Sequence, residues 1–88
     1  EEQQKRIQTR QLNLFLEDAV ARLQPASPHG KEIKLNYCSQ VAVEPPVIVI
    51  FTNHPDLIKT AYKRYIENRF REQFGFEGVP IRIAFRKK

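Results

Sequence analysis

The sequence predicts an α+β domain of order α-β-β-α-β, in which two helices cover one face of a small three-stranded mixed sheet. Three observations lead there. Two segments repeat apolar residues at the helical spacing i, i+3, i+4, and three shorter segments alternate or run continuously apolar, as strands do. The second helical segment also stands between two strand segments, a succession that favours a right-handed crossover and a parallel strand pair. With 88 residues the chain has room for one domain, near the lower size at which a single core suffices without disulfides or metal.

Residues 1–8, EEQQKRIQ, have no apolar period and read as a linker trimmed from a longer polypeptide, with the domain proper running over 9–88. From Thr9, an N-cap by residue type, Leu12, Phe15, Leu16, Ala19, Val20 and Leu23 form the apolar stripe of an amphipathic helix, and Glu17, Asp18 and Arg22 take the far side. QPASPHG ends that helix with two prolines and a glycine. EIKLNYCSQVAV then alternates, with Ile33, Leu35, Tyr37, Ser39 and Val41 on one face of a strand and Lys34, Asn36, Cys38 and Gln40 on the other.

Pro45 and Pro46 interrupt the run, because neither can donate a ladder hydrogen bond, and VIVIF resumes as a continuous apolar, central strand paired with the first as a hairpin. TNHPDLI is a turn or single helical turn, with Pro55 suited to a first helical position and Asn53 or Asp56 able to cap. Tyr62, Tyr65, Ile66, Arg69, Phe70, Gln73 and Phe74 line one side of the second helix, while Lys63, Arg64, Glu67, Asn68 and Arg71 line the other. Gly75 and Gly78 supply its stop and turn. In IRIAFR, Ile81, Ile83 and Phe85 face inward, and Arg82, Ala84 and Arg86 face outward.

No apolar run approaches the ~20 residues of a membrane helix. The polar beginning and the single cysteine, Cys38, predict a reducing cytoplasm. The net charge of +5 is uneven. Residues 1–58 hold six Lys or Arg against seven Asp or Glu, and residues 59–88 hold nine against three. A basic field of that kind draws phosphate-bearing partners or acidic protein surfaces, and it is also met in small domains that bind nothing charged.

Catalytic constellations are missing from the sequence. His29 lies in a proline-glycine loop, His54 in a turn, and Cys38 mid-strand, where the plain reading is a small buried hydrophobe. Neither a G-x-x-x-x-G-K-[ST] nor a G-x-G-x-x-G motif is present, and no metal is predicted. The basic helix also has a plain reading. Lys63 with Glu67, and Glu67 with Arg71, stand at i, i+4 and form solvated pairs worth a few tenths of a kcal/mol each. Tyr62, Tyr65, Phe70 and Phe74 fall on its apolar stripe, which makes those rings core and not platforms for bases.

Four stretches carry a family resemblance: RIQTRQLN before the first helix, GKEIKLNYCSQV, PPVIVIFTNHPDLI, and YKRYIENRFREQFGFEGVPIRIAFR. Together, over residues 6–86, they resemble the C-terminal K-homology-like (KH-like) domain of the EngA/Der family, bacterial GTPases with two consecutive GTP-binding domains that act in maturation of the large ribosomal subunit. The resemblance implies the same α-β-β-α-β sandwich, GTP and magnesium in other domains of the parent protein, and as partners the ribosomal RNA of the large subunit and the GTPase domains of the same chain. No membrane partner is expected, and the fragment is expected to be a monomer. A standard KH domain clamps about four nucleotides with a G-x-x-G loop. Here the corresponding place reads IKTAY, Ile58 to Tyr62, without glycine. The expectation is therefore a non-catalytic module whose phosphate contacts come from Lys59, Lys63, Arg64, Asn68, Arg71, Arg82, Arg86, Lys87 and Lys88. The alternative is a purely intramolecular regulatory domain whose charges face acidic patches of the GTPase domains.

Overall fold

The computed structural model describes residues 6–26, 30–76 and 78–88. They form helix α1 (Thr9–Arg22), strands β1 (Leu35–Val43) and β2 (Pro46–Thr52), a 3₁₀ turn (Pro55–Leu57), helix α2 (Thr60–Phe74) and strand β3 (Arg82–Lys87). The sheet order is β1-β2-β3, with β1 antiparallel and β3 parallel to the central β2. The predicted element order, the hairpin, the central strand and the parallel pair all hold.

One core joins both helices to one face of the sheet. Leu12, Phe15, Leu16 and Ala19 of α1 and Tyr62, Ile66 and Phe70 of α2 pack against Ile48 and Ile50 of β2, with Ile83 and Phe85 of β3 closing the side. Phe15 meets Phe70 edge to face at 5.6 Å, and Phe70 stacks on Phe76 at 5.5 Å. Each such ring or aliphatic side chain, fully buried, contributes about 1.5–3 kcal/mol. Gly75, at φ 76°, takes the left-handed position after α2 and donates its N–H to the Arg71 carbonyl.

Both ends of α1 differ from expectation. Thr9 is the first helical residue, and Gln8 occupies the N-cap without a side-chain bond. Ile7 is buried in the core, its N–H bonded to Gln40 Oε1 at 2.8 Å, and the Arg6 guanidinium donates to the Gln40 carbonyl. Residues 6–8 thus pack as part of the domain and not as linker. Residues 1–5 and His29 lie outside the described residues. At the other end Leu23 is half exposed, because α1 stops at Arg22. Two carbonyls there are met from α2: the Tyr62 hydroxyl donates to Leu23 O at 2.7 Å and the Tyr65 hydroxyl to Ala19 O at 2.6 Å.

The largest departure is in β1. Leu35 opposes Thr52, but Tyr37 opposes Phe51, so an extra residue enters the strand between them; a second register shift falls between Gln40 and Ala42. A one-residue bulge exchanges the two faces of everything beyond it. Ile33 is buried, Cys38 and Gln40 take the inner face, and Tyr37 and Val41 are exposed, the reverse of the strict alternation in the stretch between the two shifts. The edge of β1 is sealed by Asn13 of α1, whose side chain accepts from the Cys38 N–H at 3.0 Å and donates to the Cys38 carbonyl at 3.4 Å.

Asn53 and Asp56 do not cap the 3₁₀ turn, although Pro55 does open it. Asn53 instead ties the approach to β1 onto the end of β2, accepting from the Lys34 N–H and donating to the Glu32 carbonyl, both at 2.9 Å.

Removing the Asn13 amide strands both Cys38 backbone groups. Asn13→Ala is expected to lower unfolding free energy by about 1–3 kcal/mol, read as a reduced urea midpoint at unchanged m-value.

Candidate nucleic-acid interface

The nine sequence-predicted contact residues do not form one stripe. Lys59, Lys63, Arg64 and Asn68 are exposed on or beside α2, in the helical layer. Arg82 and Arg86 leave β3 on the opposite, outer face of the sheet, level with Val47 and Phe51 of β2. Lys87 and Lys88 are exposed at the end of β3, where the Lys88 N–H bonds to the Thr52 carbonyl. The helical layer and the outer sheet face are separated by the thickness of the sandwich, so a rigid ligand of modest size meets one or the other.

Arg71 is engaged within the domain. Its guanidinium donates to the carbonyls of Phe76 at 2.8 Å and Val79 at 2.7 Å and to Glu67 Oε2 at 3.0 Å, and only a quarter of the side chain is exposed. It clamps the loop between α2 and β3. The predicted Glu67–Arg71 pair is therefore present. Lys63 does not pair with Glu67 but lies 5.8 Å from the Phe85 ring centroid, a cation–π distance that leaves its ammonium at the α2–β3 seam. Arg69, on the buried side of α2, reaches Asp18 of α1 at 3.3 Å and so ties the two helices together. Among the described residues Lys59, Arg64, Arg82, Arg86, Lys87 and Lys88 make no side-chain ion pair or hydrogen bond.

The rings of α2 are core, as expected. Tyr62 and Phe70 are buried, Tyr65 and Phe74 pack partly buried against them, and Phe76 of the loop that follows α2 is buried with them. An aromatic pair that the alternation did not find stands on the outer sheet face: Tyr37 and Phe51 stack across β1 and β2 with centroids 4.9 Å apart and planes 27° apart. In the paired register this face consists of three rows, Tyr37–Phe51–Arg86, Ser39–Val49–Ala84 and Ala42–Val47–Arg82, with no carboxylate in any of them.

Beside the start of α2, at the IKTAY stretch, an apolar cleft of about 230 Å³ is lined by Leu23, Ile33, Leu57, Ile58, Lys59 and Tyr62. It has no row of glycine N–H groups with which to hold phosphates. His54 sits partly exposed ahead of the 3₁₀ turn. Among the described residues no three His, Cys, Asp or Glu side chains gather into a possible metal site, and no helix is long and apolar enough to cross a membrane. Burial pushes the Cys38 thiol from its ordinary 9.0 up to about 12, the opposite of what a nucleophile needs. Burial, and secondarily the neighbouring Tyr65, raise the Tyr62 phenol from 10.0 to about 12.

Comparison with known proteins gives one consistent result. The family model for the KH-domain-like region of EngA bacterial GTPase enzymes, C-terminal, matches residues 6–86. A GTPase Der of Fusobacterium nucleatum is 53% identical over 88 residues, all of this chain and 20% of that protein. GTPase Der proteins of Gemmatimonas aurantiaca and Natranaerobius thermophilus are 48% and 49% identical over 88 and 87 residues. The chain spans about a fifth of the length of these relatives.

Two outcomes follow from the geometry. Arg71→Ala is expected to cost about 1.5–3 kcal/mol of stability through its lost charged hydrogen bonds, measured by urea unfolding. Cys38 and Tyr62 are both held neutral in the native state, so their contribution is complete at low pH and is lost as pH rises. Thermal or urea stability should fall as pH climbs from 9.0 towards about 12, and Cys38→Ala should move the onset towards 10.0, where the Tyr62 phenol begins to ionise in the unfolded chain.

Proposed function

This chain belongs to the family of KH-domain-like C-terminal domains of EngA bacterial GTPases, and we propose that it serves such a GTPase as a non-catalytic module contacting RNA of the large ribosomal subunit. The observation that carries this reading is the group of exposed cations on α2, Lys59, Lys63 and Arg64, on a helix whose rings are turned into the core. Such a surface meets phosphate as backbone charge and reads no sequence. Asn68, one turn beyond Arg64 on the exposed side, can add a hydrogen bond to the same backbone. GTP and magnesium belong, in this reading, to the GTPase domains, because these residues carry no phosphate loop and, among those described, no cluster of metal ligands.

Contact with the GTPase domains is the second part of the proposal. Leu14 is 53% exposed on α1, beside Arg6, Gln11 and Gln73 in a shallow depression, a mixed surface suited to a neighbouring domain. A bacterial cytoplasmic location follows from a ribosomal partner.

Affinity for large-subunit RNA, measured against salt, tests the RNA contact. Each phosphate neutralised adds about 0.7 to 0.9 to the slope of log affinity against log salt, so the triple variant K59A/K63A/R64A should lose roughly 2 to 3 units of slope. An unchanged slope would exclude α2. Changes in GTP hydrolysis of the intact protein without ribosomes, at unchanged RNA affinity, would favour the intramolecular regulatory role.

A further inference from the structure

We infer that the outer sheet face around Tyr37 is a stacking platform for an unpaired nucleobase of single-stranded RNA, a second contact distinct from the α2 cations and from the helix-side cleft. The inference rests on the RNA reading proposed above and names the part of the ligand that this face takes.

Tyr37 owes its place to the bulge. Without the extra residue between Leu35 and Tyr37, the ring would share the inner face with Leu35; with it, the ring stands outward, 41% exposed and stacked on Phe51. A cross-strand aromatic pair stabilises a hairpin by itself, by about 0.2–1 kcal/mol, and that accounts for the contact between the two rings. It does not account for what surrounds them. Arg86 completes the Tyr37–Phe51 row and Arg82 the row at Val47, four residues back along β3, both exposed, and neither has an ion-pair partner among the described residues. Rings for base faces, guanidinium groups for phosphate and no carboxylate on the paired positions are the composition that single-strand sites use. An acidic protein surface would be served by the arginines but would gain little from an exposed ring pair. A duplex, its bases already stacked, would gain nothing from Tyr37.

The experiment uses the full 88-residue chain with two probes, a fluorescein-labelled 12-nucleotide oligouridine and a 12-base-pair RNA duplex. Losing one base stack weakens binding roughly 5- to 150-fold. Tyr37→Ala is therefore expected to lose that much affinity for the single strand, to change duplex affinity by less than about twofold, and to leave the salt slope unaltered. Tyr37→Phe should bind as the unaltered chain does, and Arg86→Ala should lower the single-strand salt slope by about 0.7.

Because Tyr37→Ala also removes a cross-strand pair, a second measurement leaves the protein unaltered. 5-Iodouridine placed in the single strand and irradiated should crosslink to a peptide containing Tyr37 or Phe51. Crosslinks confined to residues 59–71, with Tyr37→Ala binding unimpaired, would overturn the inference and leave the α2 contact standing. Equal loss of single-strand and duplex binding in a folded Tyr37→Ala variant would also overturn it. So would unchanged RNA affinity accompanied by release of a GTPase domain supplied in trans, which would make this face a protein interface. Absence of binding to either RNA at low salt would remove the RNA reading itself.

Discussion

Everything in this domain is organised around Ile48 and Ile50, which are buried at the middle of β2. Each has a partner on both sides, Ile48 opposite Gln40 and Ile83, Ile50 opposite Cys38 and Phe85, and the rings and aliphatic groups of both helices close over them. A chain this short buries only one such core. Since both helices are needed to cover one face of the sheet, the other face has neither. The exposed Tyr37, Arg82 and Arg86 follow from that limit as much as from their own chemistry.

The same economy shapes α2. Its inward rings do two jobs, filling the core and, through their hydroxyls, bonding carbonyls at the end of α1: Tyr62 donates to the Leu23 carbonyl, and Tyr65 adds a second donor to the Ala19 carbonyl, which also accepts the Leu23 N–H. Arg69 adds an ion pair to the same seam and Arg71 holds the loop that leads to β3. Two of the five cations on or beside α2 are therefore structural. The cations left over, Lys59, Lys63 and Arg64, are those whose substitution should cost the fold least. Cations that hold the domain are thus separated from cations that face solvent.

The polar residues of the interior are placed with equal economy. Gln40, buried on β1, takes the Ile7 N–H on its amide oxygen and donates to the Ala42 carbonyl, spanning the second register shift. Thr52, fully buried, donates to Lys34 O at 2.7 Å. A bulge leaves backbone groups out of the ladder, and each unpaired group in the interior costs about 1–3 kcal/mol. The Gln40 amide meets that cost at Ala42, beside the second register shift, and Asn13 pairs both backbone groups of Cys38 on the edge of β1.

Periodicity and residue type were enough for the element order, the central strand, the parallel pair, the core status of Tyr62 and Phe70 and the burial of Cys38, because each depends on residues close together along the chain. The four family stretches were likewise legible as local sequence. What the alternation in NYCSQVAV did not disclose was which face each side chain takes, since a bulge is set by pairing with β2 and by Asn13, 25 residues away from Cys38. Nor was it legible that Arg71 would be spent on two carbonyls across a turn, or that the basic residues of α2 and β3 would fall on opposite faces. Local patterns determine the periods of helices and strands; long-range packing decides which way the charges and the Tyr37 ring point, because only there do segments distant in sequence compete for the same core.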